Sequence, residues 1–174
     1  MRDMDQIDNA VAALFLDYSC RKLENMTETL RVCLGKLSDA QIWERHGAHE
    51  NSVGNLVLHL CGNMRQWVIS GVGGTVDVRE RDAEFSADGG MGAEELMGRF
   101  ALTVAEARRV IAEVPTQRLV ERINPQGRDV SVLDAIYQVV GHVDQHVGQI
   151  VVLTKQMTKT DLDLTIPRKP RKRS

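Results

Sequence analysis

Aromatic residues are scarce in this chain of 174: three Phe, two Trp and two Tyr, 4% in all. Hydrophobic residues nevertheless make up 43%, so the expected core is aliphatic. Cysteine is equally thin. Cys20, Cys33 and Cys61 are an odd number with no C-x-x-C pairing, which excludes a disulfide framework; each sits in an apolar pattern and reads as a reduced core thiol, as in a cytoplasmic protein. Neither sign of charge dominates. The net charge of -2 provides no global field that would gather nucleic acid or an anionic membrane. No apolar run reaches bilayer-spanning length, and the first residues carry acids at Asp3, Asp5 and Asp8 where a leader would carry bases. Neither export nor membrane insertion is expected.

The length suits one domain with a real core. We expect that domain over residues 1–166 and a disordered basic tail over 167–174, where Arg168, Lys169, Arg171, Lys172 and Arg173 crowd around Pro167 and Pro170. A solvated end is the plainer reading of the tail; contact with nucleic acid is the lesser one.

Apolar residues recurring at three- and four-residue spacings predict four long helices. Ile7, Val11, Leu14, Leu23, Met26 and Leu30 mark the first, from about Asp5 to Lys36. Ser38 starts a short segment with Trp43. Asn51 or Ser52 caps the second long helix, whose face of Val53, Leu56, Leu60, Met64, Trp67 and Val68 runs to the glycines at 71–74. Residues 75–92 show no period and read as a long connection. The third helix spans Ala93 to Glu113 and stops before Pro115. Two very short strands, within 119–123 and at 129–130, flank a turn at Asn124–Gly127. Ser131 with Asp134 opens the fourth helix, which reaches about Met157. The fold class that follows is all-α, a four-helix bundle with a short β-hairpin before the last helix.

His142 and His146 are four residues apart on the fourth helix, one turn apart on one face. That spacing alone is common on helix surfaces. Here, however, Val139, Val140, Val143, Val147, Ile150 and Val151 surround the pair, so the helix is expected to be largely buried, and buried imidazoles need partners. His59 stands in an equally apolar run, Leu56 to Cys61. Three such histidines on two helices favour a shared divalent metal ion. Imidazole nitrogens suit a transition metal, and three protein ligands leave a position for water or substrate. A zincin site is excluded because Val143 stands where Glu would follow the first His, and a di-iron site because neither His59 nor His142 has Glu three residues earlier. Asn55 and Asn63 share the face of His59 and Gln149 that of His146, so these three could orient the ligands or touch substrate. Trp67 could floor a pocket. His46 and His49 lie in a linker and read as exposed. No general base is evident: Asp82, Glu84 and Asp144 are near in sequence only.

The stretch Asn51 to Asn63 resembles the second-helix signature of the DinB/YfiT-like superfamily of four-helix metalloenzymes. Arg79 to Phe85 resembles the loop of one of its subgroups, and Ile123 to Gly127 with Leu133 to Ile150 resembles its hairpin and final helix. The resemblance covers nearly the whole chain and implies that His59, His142 and His146 are the metal ligands, with zinc or nickel expected. It also implies a homodimer. Relatives include thiol-dependent transferases and isomerases that use low-molecular-weight thiols, alongside proteins with no known reaction. The expected function is a metal-dependent enzyme acting on a small-molecule substrate by activating a thiol or water, as an S-transferase or hydrolase. The alternative is a non-catalytic stress protein that binds a metal or small ligand.

Overall fold

The structure, a computed structural model, describes residues 2–45, 47 and 49–164. The expected tail at 167–174 and His46 lie outside the described residues. Helix α1 (Arg2–Leu34) leads to a short α2 (Asp39–Trp43), then α3 (Val53–Met64), which runs without a break into a π-helical stretch, Arg65–Val72. After α4 (Arg81–Ser86) and α5 (Ala93–Ala112), a 3-10 turn precedes β1 (Arg122–Ile123) and β2 (Val130–Ser131). The long α6 (Val132–Thr158) follows directly.

The chain folds as an all-α bundle with a two-stranded hairpin before its last helix. Helix α1 packs on α5 and α6, and α3 packs on the same two from the other side. The buried interior is aliphatic, built on Leu23, Leu30, Leu60, Ile111, Ile136 and Ile150, with Phe100 as its one wholly buried aromatic among the described residues. All three cysteines are buried and free. Among the described residues no helix is long and apolar enough to cross a membrane.

Three helix starts carry reciprocal capping boxes: Ser38 with Gln41, Ser52 with Asn55, and Ser131 with Asp134. Each serine oxygen accepts an orphan amide of the first turn while the third residue's side chain accepts the serine N–H. Between Ser52 and Asn51, the two candidate caps, the chain uses Ser52.

Three expectations need adjusting. The second long helix is not α-helical throughout. From Arg65 its turns widen, with the Gly73 amide donating to the Val68 carbonyl five residues back, and no local composition signals such a change. Gly71 and Gly73 end the stretch at close approaches, since a Cβ would lie 3.3 Å from Pro125 in one case and 3.1 Å from Val110 in the other. The connection at 75–92 is not without structure, because it contains α4. Finally, the hairpin is shorter and later than expected, pairing Arg122 with Ser131 and Ile123 with Val130. Its turn needs Gln126 at φ +54° and Gly127 at φ +73°.

Two straps hold α4 against the bundle. Asn55 Nδ2 donates to the carbonyls of Glu84 (3.0 Å) and Ala87 (2.7 Å). Arg45 Nη2 donates to those of Phe85 (3.1 Å) and Ala87 (2.7 Å). The short helix has one buried residue, Glu84.

Candidate metal centre

His59 is supplied by α3, and His142 and His146 by successive turns of α6. Antiparallel packing of these helices turns all three imidazoles toward one point, with a set of ligand nitrogens within 4.8 Å of one another. His59 is buried and the other two are half-buried. The rings stand edge to face, His142 and His146 with centroids 4.4 Å apart at 89° and His59 and His146 5.3 Å apart at the same angle.

The ring nitrogens on the far sides are held. His146 Nδ1 lies 2.7 Å from Gln149 Oε1, so it carries a proton and Nε2 is left bare for the centre. His59 Nδ1 lies 3.0 Å from Glu84 Oε2 and 3.1 Å from Arg79 Nη2. Both contacts cannot be hydrogen bonds to the same nitrogen. An ionised carboxylate only accepts, so Nδ1–H donates to Glu84. Arg79 Nη2 is close because it too donates to Oε2, at 2.8 Å. His59 Nε2 therefore presents a lone pair inward, 2.9 Å from His142 Nε2. Two bare nitrogens at that distance repel unless a proton or a cation lies between them. Ligands about 2.05 Å from one ion are about 2.9 Å apart at a right angle and about 3.3 Å apart at the tetrahedral angle. The His59–His142 spacing and the tautomers fit a divalent ion, with the three ligand nitrogens all within 4.8 Å of one another.

Glu84 is the partner that sequence reasoning missed. Arg79 Nε donates to its Oε1 at 2.7 Å, and the arginine side chain is only 2% exposed. Burial alone would raise the Glu84 pKa, but the hydrogen bonds from Arg79 and His59 outweigh it and hold the carboxyl below its usual range. Arg79 Nη1 in turn donates to Gln66 Oε1 (2.9 Å), which also accepts from Gln126 Nε2 (2.5 Å). The whole arrangement needs a glycine at 62: a Cβ there would fall on Glu84 Oε1. The one sequence signal was Gly62 itself, a glycine inside a helix three residues after His59.

The remaining candidates fall as follows. Gln149 holds His146. Asn55 acts at one remove, since its amide caps α3 and straps the segment that carries Glu84. Asn63 and Trp67 are buried, and among the described residues Asn63 Oδ1 and Trp67 Nε1 have no hydrogen-bond partner. Phe85 covers His59, ring centroids 4.8 Å apart, and Arg81 stacks on Phe85 at 5.0 Å. Of the acids considered as bases, Glu84 is fully engaged, Asp144 pairs with Lys22 on the outside (3.2 Å) and Asp82 is exposed. His49 is exposed.

Burial, then repulsion from His146 and His59, then Arg79, lowers the His142 pKa to about 4; burial likewise lowers that of His146, against the hydrogen bond it donates to Gln149. At neutral pH the α6 imidazoles are uncharged, the form that binds metal.

A family model described as "Protein of unknown function (DUF1572)" matches residues 10–170. Among solved structures, the crystal structure of a DinB-like protein from Bacillus cereus ATCC 10987 superposes with a TM-score of 0.64 at 16% identity, covering 80% of this chain and 90% of that one. At that identity the likeness shows the fold, which is DinB-like. No curated protein matches the chain.

Gly62→Ala in an unconstrained helix would stabilise by about 1 kcal/mol; here the sign reverses, with a loss of about 1–3 kcal/mol in chemical denaturation from the forced carboxylate. The lowered imidazole pKa values make the unfolded chain the better proton binder in acid. The stability this contributes is complete above pH 6.5 and is lost as the pH falls toward about 4. Over that window the melting temperature of the metal-free protein is expected to fall more steeply than that of a His142→Asn variant.

Proposed function

Because the chain belongs to the DUF1572 family and folds as a DinB-like bundle, we propose that it is a metal-dependent enzyme holding one divalent ion, zinc or nickel, through His59, His142 and His146. Its reaction is transfer of a low-molecular-weight thiol to an electrophile, or hydrolysis of a small substrate. The carrying observation is the convergence of three imidazoles whose outer nitrogens at His59 and His146 are already held by Glu84 and Gln149. When bound, the ion would act as a Lewis acid that lowers the pKa of a water or thiol at its open position.

The chain's own residues support this reading by what they hold and exclude. Glu84 fixes the tautomer and tilt of His59, the second layer that tunes such ligands. Phe85 keeps water from one face of His59. Asn63 Oδ1 and Trp67 Nε1, four and eight residues beyond His59, offer an acceptor and a donor that nothing among the described residues satisfies, which suits a polar substrate nearby. A second reading, a non-catalytic metal- or ligand-binding stress protein, is favoured by one fact. Among the described residues, none of the acids considered as a base stands free at the histidines.

Elemental analysis of untagged protein purified without chelators is expected to give about one equivalent of metal, lost in both His59→Ala and His142→Ala. A cobalt-substituted form then separates the readings: a visible spectrum that shifts on adding a small thiol supports the enzyme, and one indifferent to thiol and to pH supports the binding protein. The same proposal includes a second copy of the chain as partner. Ile7, Val11, Leu14 and Tyr18 form an exposed stripe along α1, each 57–64% accessible, of the kind a symmetric pair would cover. Light scattering should report a dimer in the parent chain and a monomer in Leu14→Asp.

A further inference from the structure

Beyond the Arg79–Glu84 pair, on the side away from the histidines, lies a cavity of about 510 Å³. None of His59, His142 and His146 lines it. Its floor is Gly62 with Arg79 and Glu84, and its walls are the apolar side chains of Leu58, Ile69, Ala83, Ala87 and Met91. At the rim, Val76 and Val78 are 82% and 79% exposed. They alternate with Asp77 and Arg79, whose side chains turn inward to Gln66 and Glu84. The size is that of a small-molecule site, and its apolar walls stand among six charged side chains.

The charges select the ligand. Of the lining acids, Glu84 is matched by Arg79, and Asp77 accepts from Gln66 (2.6 Å) and from the Arg79 amide (3.0 Å). Glu80 is exposed to water at the rim. Of the lining bases, Arg79 is engaged and Arg65 reaches Glu106 at 3.3 Å. The Arg99 guanidinium donates to Met91 Sδ at 3.8 Å and, among the described residues, has no carboxylate partner. Arg65 opens the π-helical stretch and Arg99 stands on α5, and both side chains line the cavity. From this arrangement we propose that the cavity binds a small organic anion with an apolar body, its charged head between Arg99 and Arg65 and its body against Leu58, Ile69, Met91 and the two rim valines.

The proposal stands apart from the metal centre, and neither depends on the other.

The test compares two fluorescent probes of one shape, the sulfonate 8-anilinonaphthalene-1-sulfonate and the uncharged N-phenyl-1-naphthylamine, titrated into the full chain. The sulfonate should bind more tightly. Arg99→Met should weaken it roughly three- to tenfold, the scale of one partly exposed charge contact, and leave the uncharged probe unchanged. Ala83→Trp, at an exposed wall position, should reduce binding of both with helical content intact by circular dichroism. Leu14→Asp, on the α1 stripe, should change neither. Equal binding of the two probes, indifference to Arg99→Met and Ala83→Trp, or loss of binding in Leu14→Asp overturns the proposal.

Discussion

A guanidinium and a carboxylate buried side by side beside a histidine are the constraint around which the rest is arranged. Taking Arg79 and Glu84 out of water is expensive, and their attraction offsets that only where geometry is good and the remaining donors find partners. Both conditions hold. The contacts are 2.7 and 2.8 Å, and the further arginine N–H meets Gln66. Such a pair adds little net stability compared with an apolar substitute, but removing either partner strands a buried charge. Its value is positional: it gives His59 a single tautomer and a single direction.

Several features otherwise hard to place follow from it. Segment 75–86 has little apolar surface of its own, yet it is tied down at both ends, through Asp77 and Gln66 at one and the Asn55 and Arg45 straps at the other. The π-helical stretch sets Gln66 where it can accept from both Arg79 and Gln126. Gln126 reaches it from a backbone conformation that a non-glycine residue rarely adopts. Hairpin, π turn, loop and short helix thus form one polar layer across the outside of α3.

The helices and the histidine set were legible in the amino-acid order, and this outer layer was not. Helices α1, α3, α5 and α6 show through because each buries an apolar stripe, and Ser52 and Ser131 mark two starts. The histidines were legible because their neighbours are valine and leucine, which makes imidazole conspicuous. Glu84 and Arg79 sit among charged residues in a stretch with no period, where solvated side chains are the ordinary outcome. Their burial depends on contacts with α3, 20 and more residues earlier in the chain. Asn55 was misleading in a different way: spacing puts it on the face of His59, but the serine three residues before it claims its carbonyl oxygen for a capping box. The switch to a π helix leaves no mark in composition: of the glycines at its end, Gly71 is pressed by the Gln66 carbonyl and Pro125, and Gly73 by the Ile69 carbonyl and Val110.

The bare Cα of Gly62 also bears on how this protein can change over time. Any side chain at 62 displaces the Glu84 carboxylate, and a shorter acid at 84 makes room but gives up its reach to His59. Neither single substitution leads to an equivalent arrangement, so the two positions are locked together on the mutational landscape. The route between alternatives passes through an intermediate with a loosened His59, which makes this spot among the slowest in the chain to drift.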